Sequence, residues 1–101
     1  MLRLHDNASS GNAYKVRLLL TQLGTAFERV EYDTDRGDTR TAEFLRDTNA
    51  NGRIPVLQLD DGRCLAESNA ILWYLGDGTA YVPEDPYERA QVLQWMFFEQ
   101  L

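Results

Sequence analysis

Two strand-like segments joined through one helix constrain the fold more than any other feature of the sequence. The segment LRLH, residues 2–5, alternates apolar and polar side chains as a β-strand does. A helix is predicted over residues 12–23, because a valine and three leucines recur there at helical spacing. The segment AFERVEYD, residues 26–33, is a second predicted strand. Only short links separate these two strands from the helix between them. This arrangement predicts a βαβ unit with parallel strands and a right-handed crossover.

The middle of the chain predicts a short helix, a β-hairpin and a further helix. Residues 41–47, TAEFLRD, form the short helix, with Thr41 as its N-cap. The runs VLQL and RCLAE flank DDG, a turn sequence typical of hairpins. The next helix is predicted from Ser68 to Gly76, where the glycine ends it. The fold class is therefore α/β, with element order βαβ-α-ββα and a mixed four-stranded sheet that carries helices on both faces.

The last part of the chain predicts a linker and one more helix. Residues 78–86 contain two of the three prolines and have the composition of a linker. Residues 87–101 are predicted to be helical and are apolar around most of the helix circumference. A helix of this kind needs burial on several sides. We therefore expect it to pack against a partner subunit or against further sequence, and we expect the chain to self-associate.

Composition and charge argue against several classes of function. The formal net charge of −6 disfavours binding to nucleic acids and to anionic membranes. The longest apolar run, AILWYL, is too short to span a bilayer. Cys64 is the only cysteine, so a disulfide within the chain is excluded and a reducing compartment is favoured. We expect a soluble, cytoplasmic protein, and we expect no metal site, because His5 is the only histidine and no cluster of metal-binding residues surrounds it.

Ile54 and Pro55 stand at the entry of a predicted strand, where proline removes a hydrogen-bond donor. The simpler interpretation is the start of an edge strand. The alternative is a cis Ile54–Pro55 bond in a tight turn. A turn of that kind would expose the backbone of Ile54 for pairing with an extended peptide.

Glu67 and Ser68 directly precede the apolar helix. The simpler interpretation is that Ser68 caps the helix and Glu67 is an adjacent charge. Alternatively, the helix N–H groups and the hydroxyl would bind a carboxylate, and the neighbouring acid would bind an ammonium group. The pair would then suit the zwitterionic end of an amino acid.

The turn SSGN precedes the first helix and contains Ser10. Serine, glycine and asparagine are common in turns and caps, which is the simpler interpretation. The functional alternative is that the Ser10 hydroxyl and the helix start together stabilise a thiolate, which lowers the pKa of a thiol. Lowering that pKa by about two units requires about 2.7 kcal/mol, which a charged hydrogen bond and a helix end can supply. Cys64 itself is interpreted as a structural cysteine.

These features occur together in the order found in one family. The stretches SSGNAYKVRLLLTQLG, EFLRDTNANGRIPVLQLDDG and LAESNAILWYL resemble the N-terminal, thioredoxin-like domain of soluble glutathione S-transferases. ERAQVLQWMFFEQ resembles the start of the first helix of the all-α second domain of that family. The resemblance implies a thioredoxin-like glutathione-binding domain over residues 1–77, a linker over 78–86 and the start of the second domain over 87–101, whose remainder is absent.

The resemblance also implies roles for individual residues. Ser10 matches the hydroxyl that faces the glutathione sulfur in serine-type, bacterial-like members, with Ser9 as its competitor, and Asn12 matches an assisting asparagine. Ile54, before Pro55, would pair with the cysteinyl part of glutathione. Glu67 and Ser68 match the groups that bind the γ-glutamyl ammonium and carboxylate. Arg53 matches a polar position beside the peptide backbone and could attract the glycyl carboxylate.

The function implied is glutathione transfer: the protein binds glutathione as cosubstrate and activates its thiol for attack on a small electrophile, as in detoxification. The partners implied are glutathione, that electrophile and a second copy of the chain, with no metal. The alternative is a non-catalytic thioredoxin-fold binding or dimerisation module. A thiol-disulfide oxidoreductase is disfavoured, since the first helix begins without a cysteine. Because the second domain is absent, the sequence leaves open whether this chain alone is an enzyme.

Overall fold

Four strands and four α-helices follow one another along the chain in this computed structural model, which describes residues 1–101. The strands are β1 (Leu2–Asp6), β2 (Phe27–Glu31), β3 (Val56–Gln58) and β4 (Cys64–Ala66). The helices are α1 (Gly11–Leu23), α2 (Ala42–Asp47), α3 (Ser68–Gly76) and α4 (Pro86–Gln100). Every predicted strand and helix is present, with small shifts at the ends.

The strands form one mixed sheet in the order β2-β1-β3-β4. β1 is parallel to β2 and antiparallel to β3, with His5 opposite Val56. β4 is antiparallel to β3, with Val56 opposite Ala66. The ends of β1, β2 and β4 therefore meet the start of β3 at one edge of the sheet. This edge brings together segments that are far apart in the sequence.

Helices cover both faces of the sheet. On one face, α1 and α3 pack against β1 and β3 around a cluster of fully buried side chains: Leu4, Val16, Leu20, Leu57 and Ile71. Full burial of side chains of this size contributes about 1.5–3 kcal/mol each to folding. On the other face, the ring of Phe44 in α2 packs edge-to-face against the ring of Tyr32, with ring centroids 5.1 Å apart. The predicted α/β class, with helices on both faces, is confirmed.

The helix termini follow from local side-chain chemistry. The hydroxyl of Thr41 accepts a hydrogen bond from the N–H of Phe44 at the start of α2, as predicted. Gly24 ends α1 in the left-handed conformation, with φ of 68°, which glycine adopts without steric cost. Residues 34–40, whose composition indicates a polar loop, instead form two short 3-10 turns. The carboxylate of Asp33 caps the first of these turns.

The start and end of α3 differ in detail from the sequence interpretation. Ser68 is the first helical residue and not the cap, since Glu67 occupies the N-cap position without a side-chain hydrogen bond. Gly76 is the last helical residue, and Asp77 is the C-cap. A Cβ atom at Gly76 would lie 2.8 Å from a methyl carbon of Val82. The glycine is therefore explained by the close approach of the following segment.

α4 lies against α1 and α3 through polar contacts near its C-terminal end. Asn69 donates a hydrogen bond to the carbonyl of Met96, and Lys15 forms an ion pair with Glu99 at 2.5 Å. No residue of α4 is buried. The helix therefore exposes large apolar side chains in this chain: Trp95, Phe97 and Phe98. None of the helices combines the length and apolar character that a membrane crossing requires.

Candidate functional site

A polar cavity of about 590 Å³ lies at the sheet edge where β1, β3 and β4 meet. The strand register explains its position, because the β1–α1 loop, the turn before β3 and the start of α3 all reach this edge. The cavity is lined by every site residue predicted from the sequence: Ser10, Asn12, Arg53, Ile54, Pro55, Glu67 and Ser68. Ser9, the competitor of Ser10, lines it as well.

Ser10 is the N-cap of α1. Its Oγ accepts a hydrogen bond from the N–H of Ala13 at 3.1 Å, which satisfies one of the open donors of the first turn. Because Oγ acts there as an acceptor, its proton remains free to donate to an anion. The positive end of the helix dipole favours negative charge at the same place.

A network of hydrogen bonds beneath the β1–α1 loop holds Ser9 and Ser10 in place. The side chain of Asn7 donates to the carbonyl of Tyr32 at 2.8 Å and accepts from the N–H of Ser9 at 2.8 Å. The fully buried Asp6 pairs with Arg17 at 2.5 Å and with Arg29 at 2.6 Å. Buried charges require such pairing, so this network fixes the loop to β1 and β2. Asp6 also holds the pKa of the Arg29 guanidinium above its ordinary value, mainly through their hydrogen bond.

Asn12 has a partner that the sequence did not indicate. Gln100 of α4 donates a hydrogen bond to the side-chain oxygen of Asn12 at 2.9 Å, and Gln100 also lines the cavity. The contact joins residues 88 positions apart, so no local pattern could reveal it. It means that the end of α4 orients one of the predicted site residues.

The turn before β3 presents free backbone groups to the cavity. The Ile54–Pro55 peptide bond is cis. The N–H and carbonyl of Ile54 make no hydrogen bond within the chain. Asn49 supports the turn, because its side chain donates to the carbonyl of Arg53 at 3.0 Å. The backbone of Ile54 is therefore available to pair with an extended ligand.

Glu67 and Ser68 form a third side of the cavity, in addition to the start of α1 and the turn before β3. Glu67 has φ of 73° and ψ of 113°, which is a strained backbone conformation for a residue with a side chain. Neither its carboxylate nor the Ser68 hydroxyl has a hydrogen-bond partner within the chain. Ser68 is mostly buried, but its hydroxyl oxygen is not among buried atoms left without a partner, so it keeps access to solvent. No side chain caps the first turn of α3, so its N–H groups are open as well. This side thus offers one anion beside a set of donors.

Other polar residues of the cavity were not identified from the sequence. They come from the 3-10 turns and from the turn before Arg53, and include Thr39, Arg40, Asn49 and Gly52. The φ of 66° at Gly52 could have been suspected from the NG turn sequence. The approach of the 3-10 turns to this edge could not, because it depends on the tertiary packing of residues 34–40.

His5 and Cys64, the only histidine and the only cysteine of the chain, lie outside the cavity. Burial lowers the pKa of His5, whose ring nitrogens contact Tyr32 Oη at 2.7 Å and Gln58 Oε1 at 2.8 Å. Burial raises the pKa of the Cys64 thiol, which disfavours a reactive thiolate there. No group of three or more His, Cys, Asp or Glu side chains is arranged to hold a metal ion.

Comparisons of the sequence and of the structure with known proteins point to the same family. The family described as glutathione S-transferase, N-terminal domain, matches residues 1–77. A glutathione S-transferase from Pseudomonas fluorescens is 50% identical with a TM-score of 0.95, and the match covers 98% of this chain and 49% of that one. A probable glutathione S-transferase from Zea mays is 35% identical over 83% of this chain and 39% of its own length.

A third relative was solved with a ligand. This glutathione transferase homologue from Sulfitobacter, with bound glutathione, is 26% identical and has a TM-score of 0.86. The match covers 97% of this chain and 48% of that one. The chain thus spans about half the length, or less, of the relatives that it matches.

Proposed function

The chain belongs to the glutathione S-transferase family as an N-terminal domain, and from this premise we propose that its polar cavity binds glutathione and activates the thiol. One observation carries the proposal. The cavity gathers an unpaired acid, a free hydroxyl, an open helix start and an unpaired backbone segment, which match the groups of a γ-linked tripeptide. The relative with bound glutathione supports the same assignment.

Each part of glutathione has a matching group in the cavity. Glu67 receives the γ-glutamyl ammonium, while the Ser68 hydroxyl and the open N–H groups of α3 receive the adjacent carboxylate. The backbone of Ile54, beside Pro55, pairs with the cysteinyl unit as a neighbouring strand would. This placement directs the sulfur towards the start of α1. Arg53 lies farther along the turn, at the glycyl end.

Thiol activation is assigned to Ser10, which makes this a serine-type site. The Ser10 hydroxyl donates to the sulfur, and the start of α1 adds positive potential, so that the thiol loses its proton to solvent more readily. Asn12 assists at the same helix turn. The thiolate then attacks an electrophilic carbon, forming a C–S bond as the leaving group departs with its electron pair. Positioning and electrostatics are the protein's contribution.

The rest of the reaction requires more protein than this chain contains. We assign residues 1–77 to the glutathione-binding domain, residues 78–86 to the linker and residues 87–101 to the start of an all-α domain that completes the pocket for the electrophile. The exposed apolar side chains of α4 support this assignment and also support association into a homodimer. The lone Cys64 favours a reducing, cytoplasmic location.

A non-catalytic binding module is the second candidate, favoured by the exposed Trp95, Phe97 and Phe98 of α4. Calorimetric titration with glutathione separates the two. We expect saturable binding by the unchanged chain and a weaker affinity for Ser68→Ala, whose loss of one donor leaves the fold intact. No heat of binding at millimolar glutathione, in a sample shown to be folded by circular dichroism, would favour the non-catalytic module.

A further inference from the structure

Two side chains at the end of α4, Glu99 and Gln100, connect this helix to α1 through a series of hydrogen bonds. Lys15 of α1 donates to Glu99 Oε1 at 2.5 Å, and the amide nitrogen of Gln100 donates to the same oxygen at 3.0 Å. That nitrogen also donates to Asn12 Oδ1 at 2.9 Å. Asn12 and Gln100 both line the cavity, so the series ends at the candidate site.

The carboxylate of Glu99 determines which way the two amides face. Hydrogen bonds from Gln100 and Lys15 hold the pKa of the Glu99 carboxyl below its ordinary value, so the group is ionised at neutral pH. An ionised carboxylate can only accept hydrogen bonds, and Gln100 must therefore turn its NH2 group towards Glu99. The second N–H of that group faces Asn12, which must present its oxygen in turn.

A second group that can only accept hydrogen bonds anchors the same part of α4. The side chain of Asn69 in α3 donates to the carbonyl of Met96 at 2.7 Å, so its own oxygen is turned towards Lys15, which donates to it at 2.9 Å. The side chain of Lys15 is only 20% exposed and lies between Asn69 and Glu99. Three helices therefore hold Lys15, and with it Glu99, in place.

The consequence for Asn12 is that its NH2 group remains unused. Asn12 Nδ2 makes no hydrogen bond within the chain, whereas Oδ1 accepts from Gln100. The opposite orientation of the Asn12 amide would place two NH2 groups face to face, and both would lose an acceptor. Asn12 lies in the first turn of α1, two residues after Ser10, so its free donors are close to the proposed thiol site.

Resting on the proposed function, we propose that Glu99 and Gln100 are positioning residues: they fix the Asn12 amide so that its NH2 group donates to the sulfur of bound glutathione. Hydrogen bonds donated to a thiolate stabilise the charged form of the thiol. Asn12 is then a second side-chain donor to the sulfur, beside Ser10. Glu99 and Gln100 act through the orientation of this amide, and α4 thereby contributes to thiol activation.

Glu99→Gln tests the proposal through the sign of its effect on the thiol pKa of bound glutathione, measured by thiolate absorbance as a function of pH. Loss of a negative charge would by itself favour the thiolate and lower this pKa. The replacement amide can also donate, so it no longer fixes Gln100 and Asn12. We therefore expect the pKa to rise, by up to about one unit if the whole hydrogen bond to the thiolate is lost. Glu88→Gln is the matched control, because it removes the same charge in the first turn of α4, away from the cavity, and should cause no rise.

A double-mutant cycle tests whether Gln100 acts through Asn12. Gln100→Met keeps the length of the side chain without its donors, and it should also raise the thiol pKa. In an Asn12→Ala background, Gln100→Met should cause no further rise. An unchanged or lowered pKa in Glu99→Gln or Gln100→Met, with folding verified by circular dichroism, would overturn the proposal, as would a rise in Gln100→Met that persists in the Asn12→Ala background. Failure of the unchanged chain to bind glutathione would instead overturn the proposed function itself.

Discussion

The hydroxyl oxygen of Ser10 accepts a hydrogen bond from the N–H of Ala13 at 3.1 Å, so one side chain both caps α1 and lines the cavity. The two tasks use different parts of the hydroxyl: the oxygen accepts from the helix, and the proton is free for a ligand. A substitution at Ser10 therefore has a structural and a chemical consequence, which suitable variants can separate.

Ser10→Ala removes both roles, whereas Ser10→Asp retains the cap. We expect Ser10→Ala to lower the free energy of unfolding by about 1 kcal/mol, and Ser10→Asp to leave it nearly unchanged, because aspartate caps as well as serine does. Both variants should raise the pKa of bound glutathione, since neither donates to the sulfur and aspartate repels it. Thiolate absorbance as a function of pH measures this pKa, and denaturant unfolding measures the stability.

Ser9→Ala distinguishes the two serines of the turn. The N–H of Ser9 is bonded to Asn7, but its hydroxyl has no role in the helix cap. We expect Ser9→Ala to change neither the stability nor the pKa of the bound thiol. A pKa increase in Ser9→Ala that Ser10→Ala does not show would transfer the thiol role to Ser9.

Glu67 combines a carboxylate that we propose binds the ligand's ammonium group with a strained backbone. Glu67→Ala removes the carboxylate but keeps a side chain at φ of 73°, whereas Glu67→Gly removes both. We expect Glu67→Gly to be more stable than Glu67→Ala by about 1 kcal/mol, because strain of this kind costs on the order of 1–3 kcal/mol and exceeds the entropic cost of glycine. Thermal unfolding checks this order, and the reverse order would show that Glu67 is not strained.

His5 makes the stability of the fold depend on pH. Because burial lowers its pKa from the ordinary value of 6.5, the folded chain binds its proton less tightly than the unfolded chain does. The stability from neutral His5 is therefore fully present above about pH 6.5 and is lost as the pH falls below it. The loss can reach at most about 1.4 kcal/mol per pH unit. His5→Gln should remove this part of the slope below about pH 6.5. An unchanged slope in denaturant unfolding would contradict the prediction.

The exposed apolar face of α4 predicts self-association. Trp95 and Phe98 pack edge-to-face, with ring centroids 5.6 Å apart, and both are mostly exposed. We expect the chain to form dimers in sedimentation experiments, and we expect Trp95→Arg to shift them towards monomers. Tyr87→Arg is the control, because Tyr87 is also mostly exposed but lies in the first turn of the same helix. A monomer at high concentration of the unchanged chain would exclude this interface.

The fold could be predicted well from the sequence, because helices and turns are indicated by local sequence patterns. Helical spacing in residues 12–23 and the DDG turn each fix an element, and the βαβ rule then fixes how the first two strands pair. The candidate site followed from three short motifs at element boundaries, around Ser10, Ile54 and Glu67. Their meeting at one edge is a consequence of the strand register, in which β1 and β4 both pair with β3.

The features that sequence reasoning missed depend on contacts between distant segments. The bond from Gln100 to Asn12 and the close approach of the Arg40 side chain to Gly52 each join parts of the chain that no periodic pattern connects. The backbone conformation of Glu67 was also unforeseen, because a positive φ is expected at glycine and not at glutamate. The incorrect assignment of Ser68 as a cap has the same origin, since the strained Glu67 takes the cap position.

Chemical-shift mapping with glutathione would show, residue by residue, where the ligand binds the chain. Backbone amide resonances of the isotope-labelled chain report which residues a ligand touches. We expect saturable shifts at Ser10 and Asn12, at Ile54, and at Glu67 and Ser68, with a single affinity shared by all three segments. Shifts confined to α4, or no shifts at millimolar glutathione in the folded chain, would show that glutathione does not bind in this cavity.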